Sequence, residues 1–62
     1  MEGVRPTARE LTVLELIVRR LTNEEIAERL HLAPQTVKNH AGSIFAKLGY
    51  RGRKELYRAW GA

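Results

Sequence analysis

Thr22-Asn23-Glu24-Glu25-Ile26-Ala27-Glu28-Arg29-Leu30, then His31-Leu32-Ala33, then Pro34-Gln35-Thr36-Val37-Lys38-Asn39-His40 is the stretch on which the fold turns. Thr22 and Glu25 have capping-box spacing: the hydroxyl accepts from the Glu25 N–H and the carboxylate reaches back to the Thr22 N–H. A helix is therefore predicted from Asn23, burying Ile26, Ala27 and Leu30 on one face. Pro34 suits the first position of a further helix. That leaves His31, Leu32 and Ala33 as a tight turn with Leu32 as its buried anchor. Two short helices joined this way, the second with a polar face starting at its N-terminus, can put one helix into a DNA major groove while the other braces it.

Working outward, Thr7-Ala8-Arg9-Glu10 is another capping box, so a helix is predicted to start at Ala8. Leu11, Val13, Leu14, Leu16, Ile17, Val18 and Leu21 cover well over half of it at about 100° per residue. A helix this apolar is expected to be the central packing helix, with Arg19 and Arg20 in its last turn facing the negative dipole end. Residues 1–6 lack periodicity and are expected to form a flexible N-terminal arm, leaving 7–62 as the domain. The Pro34 helix is predicted to run to Leu48 with Val37, Ala41, Ile44 and Leu48 as its core stripe. Gly49 is its left-handed stop, and Tyr50 folds back onto Phe45. A short fourth helix, about Arg53 to Trp60, follows Gly52 and places Leu56 and Trp60 on one side with Tyr57 at the margin. The fold class is all-α: a compact four-helix domain.

Composition bounds what such a domain does. The chain has 62 residues, no cysteine, and 11 Lys+Arg against 7 Asp+Glu, a net charge of +4. A domain of this size buries only about 60% of its unfolded surface, too little to enclose a catalytic cavity. A basic balance favours a polyanionic partner. Disulfides and thiolate metal sites are excluded, and no apolar run is long enough to cross a bilayer. The expected location is the cytoplasm, with no membrane partner, no cofactor, no metal and no enzymatic activity. Glu24, Glu25 and Glu28 sit where a helix start favours negative charge. His31 answers the dipole at the end of that helix, and His40 reads as a packed side chain.

Opposite the core stripe of the third helix lie Gln35, Lys38, Asn39, Gly42 and Ala46. Asn and Gln each offer a donor and an acceptor to adenine, and Lys donates to guanine O6 and N7. Gly42 costs about 1 kcal/mol relative to alanine inside a helix. Close approach of backbone to a groove wall would account for it; a tolerated imperfection is the plainer alternative. Gln35, Lys38, Asn39 and Gly42 are thus the expected base contacts. Expected phosphate contacts surround them: Thr22 and Asn23 at the second helix start, Thr36, Ser43 and Lys47 on the flanks, and Arg51 and Arg53 in the following loop. Tyr57 and Trp60 either complete the core or form an apolar strip that pairs with a second copy.

The pattern resembles the LuxR-type (FixJ- or GerE-type) helix-turn-helix domain of bacterial transcription regulators. The resemblance rests on Thr7-Ala8-Arg9-Glu10, Val13-Leu14, Leu16-Ile17, Leu21 through Ala27, Leu30, Thr36-Val37-Lys38, His40, Ile44, Lys47-Leu48-Gly49 and Arg53, and covers roughly residues 6 to 60. It implies a third helix in the major groove and a fourth that mediates dimerisation, with Lys38, Asn39 and Gly42 at bases and Thr36 and Lys47 at phosphates. The expected function is sequence-specific regulation of transcription on double-stranded DNA, as a homodimer through the fourth helix at which Tyr57 and Trp60 meet, with RNA polymerase a further partner. With no receiver or ligand-sensing domain expected ahead of the helices, the chain is expected to be either a minimal stand-alone regulator or an excised effector domain. The alternative is a protein-interaction module of the same fold that binds RNA polymerase, a sigma factor or a partner regulator. The DNA-binding region of sigma factors is similar in the middle of the pattern, but Lys47-Leu48-Gly49 and the fourth helix favour the LuxR type. The chain departs from the family at Pro6, where leucine is usual, and at Arg20, where glycine is usual. Ala33 lacks the capping hydroxyl, Asn39 is more polar than usual, and Gly42 is smaller.

Overall fold

The computed structural model describes residues 5–60, so the first four residues of the expected arm, and residues 61–62, lie outside it. Four helices follow one another: α1 (Ala8–Val18), α2 (Asn23–Leu30), α3 (Pro34–Leu48) and α4 (Arg53–Trp60). Their bounds follow from local chemistry. Both capping boxes form: the Thr7 N–H donates to Glu10 Oε1 at 2.8 Å and the Glu10 N–H to Thr7 Oγ1 at 3.1 Å, with the same pair of distances at Thr22 and Glu25. Pro34 opens α3 with no side-chain cap from Ala33, whose carbonyl receives the Thr36 and Val37 N–H groups instead.

Three helices end alike. The N–H of Leu21 reaches Leu16 O, that of Leu32 reaches Ala27 O, and that of Tyr50 reaches Phe45 O. Each is the long Schellman bond, which needs a left-handed residue just before it. Those residues are Arg20 (φ 72°), His31 (φ 58°) and Gly49 (φ 82°). Only the third is a glycine. Arg19 and Arg20 therefore stand beyond the last turn of α1 and form its exit, not its final helical residues as the sequence suggested.

α1 touches all three other helices, as expected of a central packing helix. Val13, Ile17, Ile26, Val37, Ile44 and Leu56 are fully buried, and Leu14, Leu16, Ala27 and Ala41 nearly so. Leu30, Leu32 and Tyr57 pack on the edge of this cluster. The Cα envelope is only 15 Å in its thin direction, so there is one layer of core and several apolar residues miss it. Leu48, expected in the α3 stripe, is 36% exposed. Its rotational position is right, but it lies about 16 Å along the axis from Val37, at the last helical residue, where packing has run out. Leu11 and Trp60 are half exposed for the same want of a second layer. Among the described residues no helix is long and apolar enough to cross a membrane.

Candidate nucleic-acid interface

The outer face of α3 is built from the inside. Val37, Ala41 and Ile44 are held in the core by α1 and α2, which fixes the rotation of the helix. Gln35, Lys38, Asn39, Gly42 and Ala46 are then all exposed, spread along one side. Gln35 and Asn39, one turn apart, are joined by a hydrogen bond from Gln35 Nε2 to Asn39 Oδ1 at 3.0 Å. A Cβ added to Gly42 would meet nothing within 4 Å, so no neighbour in the domain requires glycine there.

The seven expected phosphate ligands separate into two sets. Asn23, Ser43, Lys47 and Arg53 make side-chain hydrogen bonds to other elements of the fold. Arg53 donates from Nη1 to Leu21 O at 2.6 Å and from Nη2 to Asn23 Oδ1 at 2.7 Å, which ties α4 to the α1–α2 connection. Ser43 Oγ donates to Glu10 Oε2, and Lys47 Nζ donates to Glu10 Oε1 at 2.8 Å and to Arg5 O at 3.1 Å. Thr22, Thr36 and Arg51 form the second set. Thr22 is exposed, and its hydroxyl oxygen accepts only the capping bond. Thr36 is half-buried beside Val37, and the Arg51 side chain is 93% exposed, with a loose 4.0 Å approach of its Nε to Glu55 Oε2 one turn along.

Glu10 is the residue that sequence reading undervalued. It is 5% exposed and is the one buried charged side chain among the described residues. Hydrogen bonds from Lys47, then Ser43, then the Thr7 N–H hold its carboxyl down to about 2, from an ordinary 4.5. Its capping role was legible at a spacing of three; its partners on α3 are more than thirty residues away and had no sequence signal.

On the α4 side, the Arg20 guanidinium sits 3.8 Å from the centre of the Tyr57 ring. The Tyr57 hydroxyl accepts a 3.3 Å bond from Arg53. Tyr57 thus joins the edge of the core. Trp60 does not: it is 51% exposed, and its indole N–H donates to the Tyr50 hydroxyl at 3.0 Å.

Comparison with known proteins bears on the fold and the family. A family model described as "Bacterial regulatory proteins, luxR family" matches residues 7–60, all four helices. The chain is 43% identical over 49 residues to the spore germination protein GerE of Bacillus subtilis, a match covering 79% of this chain and 66% of that one. It is 45% identical over 49 residues to the DNA-binding transcriptional activator DevR/DosR of Mycobacterium tuberculosis, covering 79% of this chain and 23% of the other. It is 44% identical over 48 residues to the fimbriae Z protein of Escherichia coli, covering 77% and 23%. The match thus spans about two thirds of one relative and under a quarter of the other two. No solved structure gives a significant match. A helix-turn-helix pair braced by a central α1, with a matching family pattern over nearly its whole length, places this chain in the luxR family of bacterial regulatory proteins.

Proposed function

We propose that this domain binds double-stranded DNA in a sequence-specific way and regulates transcription, with α3 inserted in the major groove. The observation that carries the reading is the exposed row Gln35, Lys38, Asn39 and Gly42 on a helix whose opposite side is locked into the core. Amide and ammonium groups on a rigid helix can read base edges, and a residue without a side chain lets the backbone approach. Thr22 with the free N–H groups of α2, Thr36 and Arg51 contact phosphates. Asn23, Ser43, Lys47 and Arg53 act from behind, by holding the helices that present these groups. The exposed Trp60 on α4 pairs with a second copy, giving a dimer on two half-sites in the cytoplasm.

The test is binding to duplexes selected from a random pool, followed across a salt series. The expected result is an enriched two-fold symmetric motif and an affinity that falls steeply with salt as counterions are released. No binding at low salt, together with capture of a polymerase subunit or another regulator, would replace this reading with the protein-interaction one. An asymmetric single half-site would remove the dimer while leaving DNA recognition intact.

A further inference from the structure

We infer that Gln35 and Asn39 act as one reading unit, in which Gln35 is a positioning residue that aims the Asn39 amide at an adenine. The inference rests on the DNA-binding reading above. Both side chains are exposed on the groove-facing side of α3, and the Gln35 Nε2 to Asn39 Oδ1 bond of 3.0 Å joins them across one helical turn.

The chemistry of the two amides sets the roles. An amide oxygen has two lone pairs and an amide nitrogen two hydrogens. Gln35 donates to one lone pair of Asn39 Oδ1, which couples the two amides: Asn39 keeps this bond after turning over only if Gln35 turns over with it. One lone pair on Oδ1 and both hydrogens on Nδ2 are left. That is one acceptor beside a donor, the complement of adenine N6–H and N7 in the major groove. An unrestrained asparagine could flip and offer the donor first. The bond from Gln35 opposes a flip of Asn39 alone, which would set one NH2 group against the other, so less rotamer freedom is lost on binding. Gln35 can play this part because it stands at the second position of α3, directly after Pro34, one turn before Asn39. The two side chains would then specify one base pair between them, where independent reading would specify two.

The experiment measures base preference at every position of the selected duplex for the wild type, Gln35→Met, Asn39→Ala and the double variant. Methionine keeps the length of glutamine and removes the amide. Both positions are exposed, and unchanged helical circular dichroism checks the fold. The expected result is that Gln35→Met and Asn39→Ala lose adenine preference at the same base pair, Asn39→Ala by roughly tenfold. The double variant should be no worse at that position than Asn39→Ala alone. Loss of preference at a different base pair in Gln35→Met would overturn the inference, because Gln35 would then be reading a base of its own. No change in Gln35→Met would overturn it as well. A wild type that binds no duplex would instead remove the reading on which the inference stands.

Discussion

The Lys47 ammonium lies 2.8 Å from the Glu10 carboxylate, which it meets across 37 positions of chain, with the Lys47 side chain only 18% exposed. The same Glu10 oxygen accepts the Thr7 N–H that opens α1, and the other accepts the Ser43 hydroxyl. One carboxylate therefore caps the central helix and clamps the C-terminal half of α3 against it. The clamp involves a charge largely removed from water, so losing a partner costs more than at an exposed pair.

Acid should weaken the domain through this group. The folded carboxyl is held at about 2 against an ordinary 4.5. A depressed folded value means that its stabilisation is complete above the unfolded value, and is lost as pH falls from about 4.5 toward 2. Glu10→Gln keeps the shape and removes the charge, and should cost about 2 kcal/mol at neutral pH. Urea unfolding followed by circular dichroism at pH 7 and pH 3 should show the gap between wild type and variant narrowing in acid. A constant gap would mean that the carboxylate charge is not what holds the helices.

Lys47→Met should lower stability by about 2 kcal/mol, because it leaves Glu10 without its cation. It should leave the salt dependence of DNA binding unchanged. Arg51→Gln should do the reverse: unchanged stability, and a log–log salt slope smaller by about 1. A flattened slope in Lys47→Met would return this lysine to the phosphate contacts expected from the sequence.

The left-handed residues predict an asymmetry between two similar changes. A side chain in this conformation costs about 1 kcal/mol. His31→Gly should recover most of that, since His31 is exposed at the end of α2. Arg20→Gly should be nearly neutral, because the relieved strain is offset by loss of the guanidinium over Tyr57, about 0.5–1 kcal/mol. Arg20→Ala should be the worst of the three, losing the stacking and keeping the strain. Thermal unfolding of the three variants measures the order directly.

Gly42→Ala separates the two readings of that glycine. The added methyl group meets nothing in the free domain, so helix propensity should raise stability by up to about 1 kcal/mol. Affinity for the selected duplex should fall if the backbone there lies against the groove. A more stable protein with undiminished binding would make Gly42 a tolerated imperfection.

Much of this molecule was legible in order of residues because its helices start and stop on local signals. Thr7, Thr22, Pro34 and Gly49 mark boundaries that the structure reproduces to the residue. The exposed row on α3 was legible too, since a regular helix with Val37, Ala41 and Ile44 inside must turn Lys38, Asn39 and Gly42 outward. Leu48 escaped the same rule because periodicity gives rotation about a helix, and burial also needs a neighbour at that height.

What tertiary structure alone decided is the difference between two motifs that look alike on the page. Thr7 with Glu10 and Thr22 with Glu25 have the same spacing and make the same local bonds. Glu25 is exposed and goes no further, whereas Glu10 is buried under Ser43 and Lys47. Local order along the chain suffices for a cap, which involves neighbours three apart. The packing of α3 on α1 was needed to turn one of those caps into the clamp that sets the candidate reading helix, and to turn Lys47 and Arg53 inward.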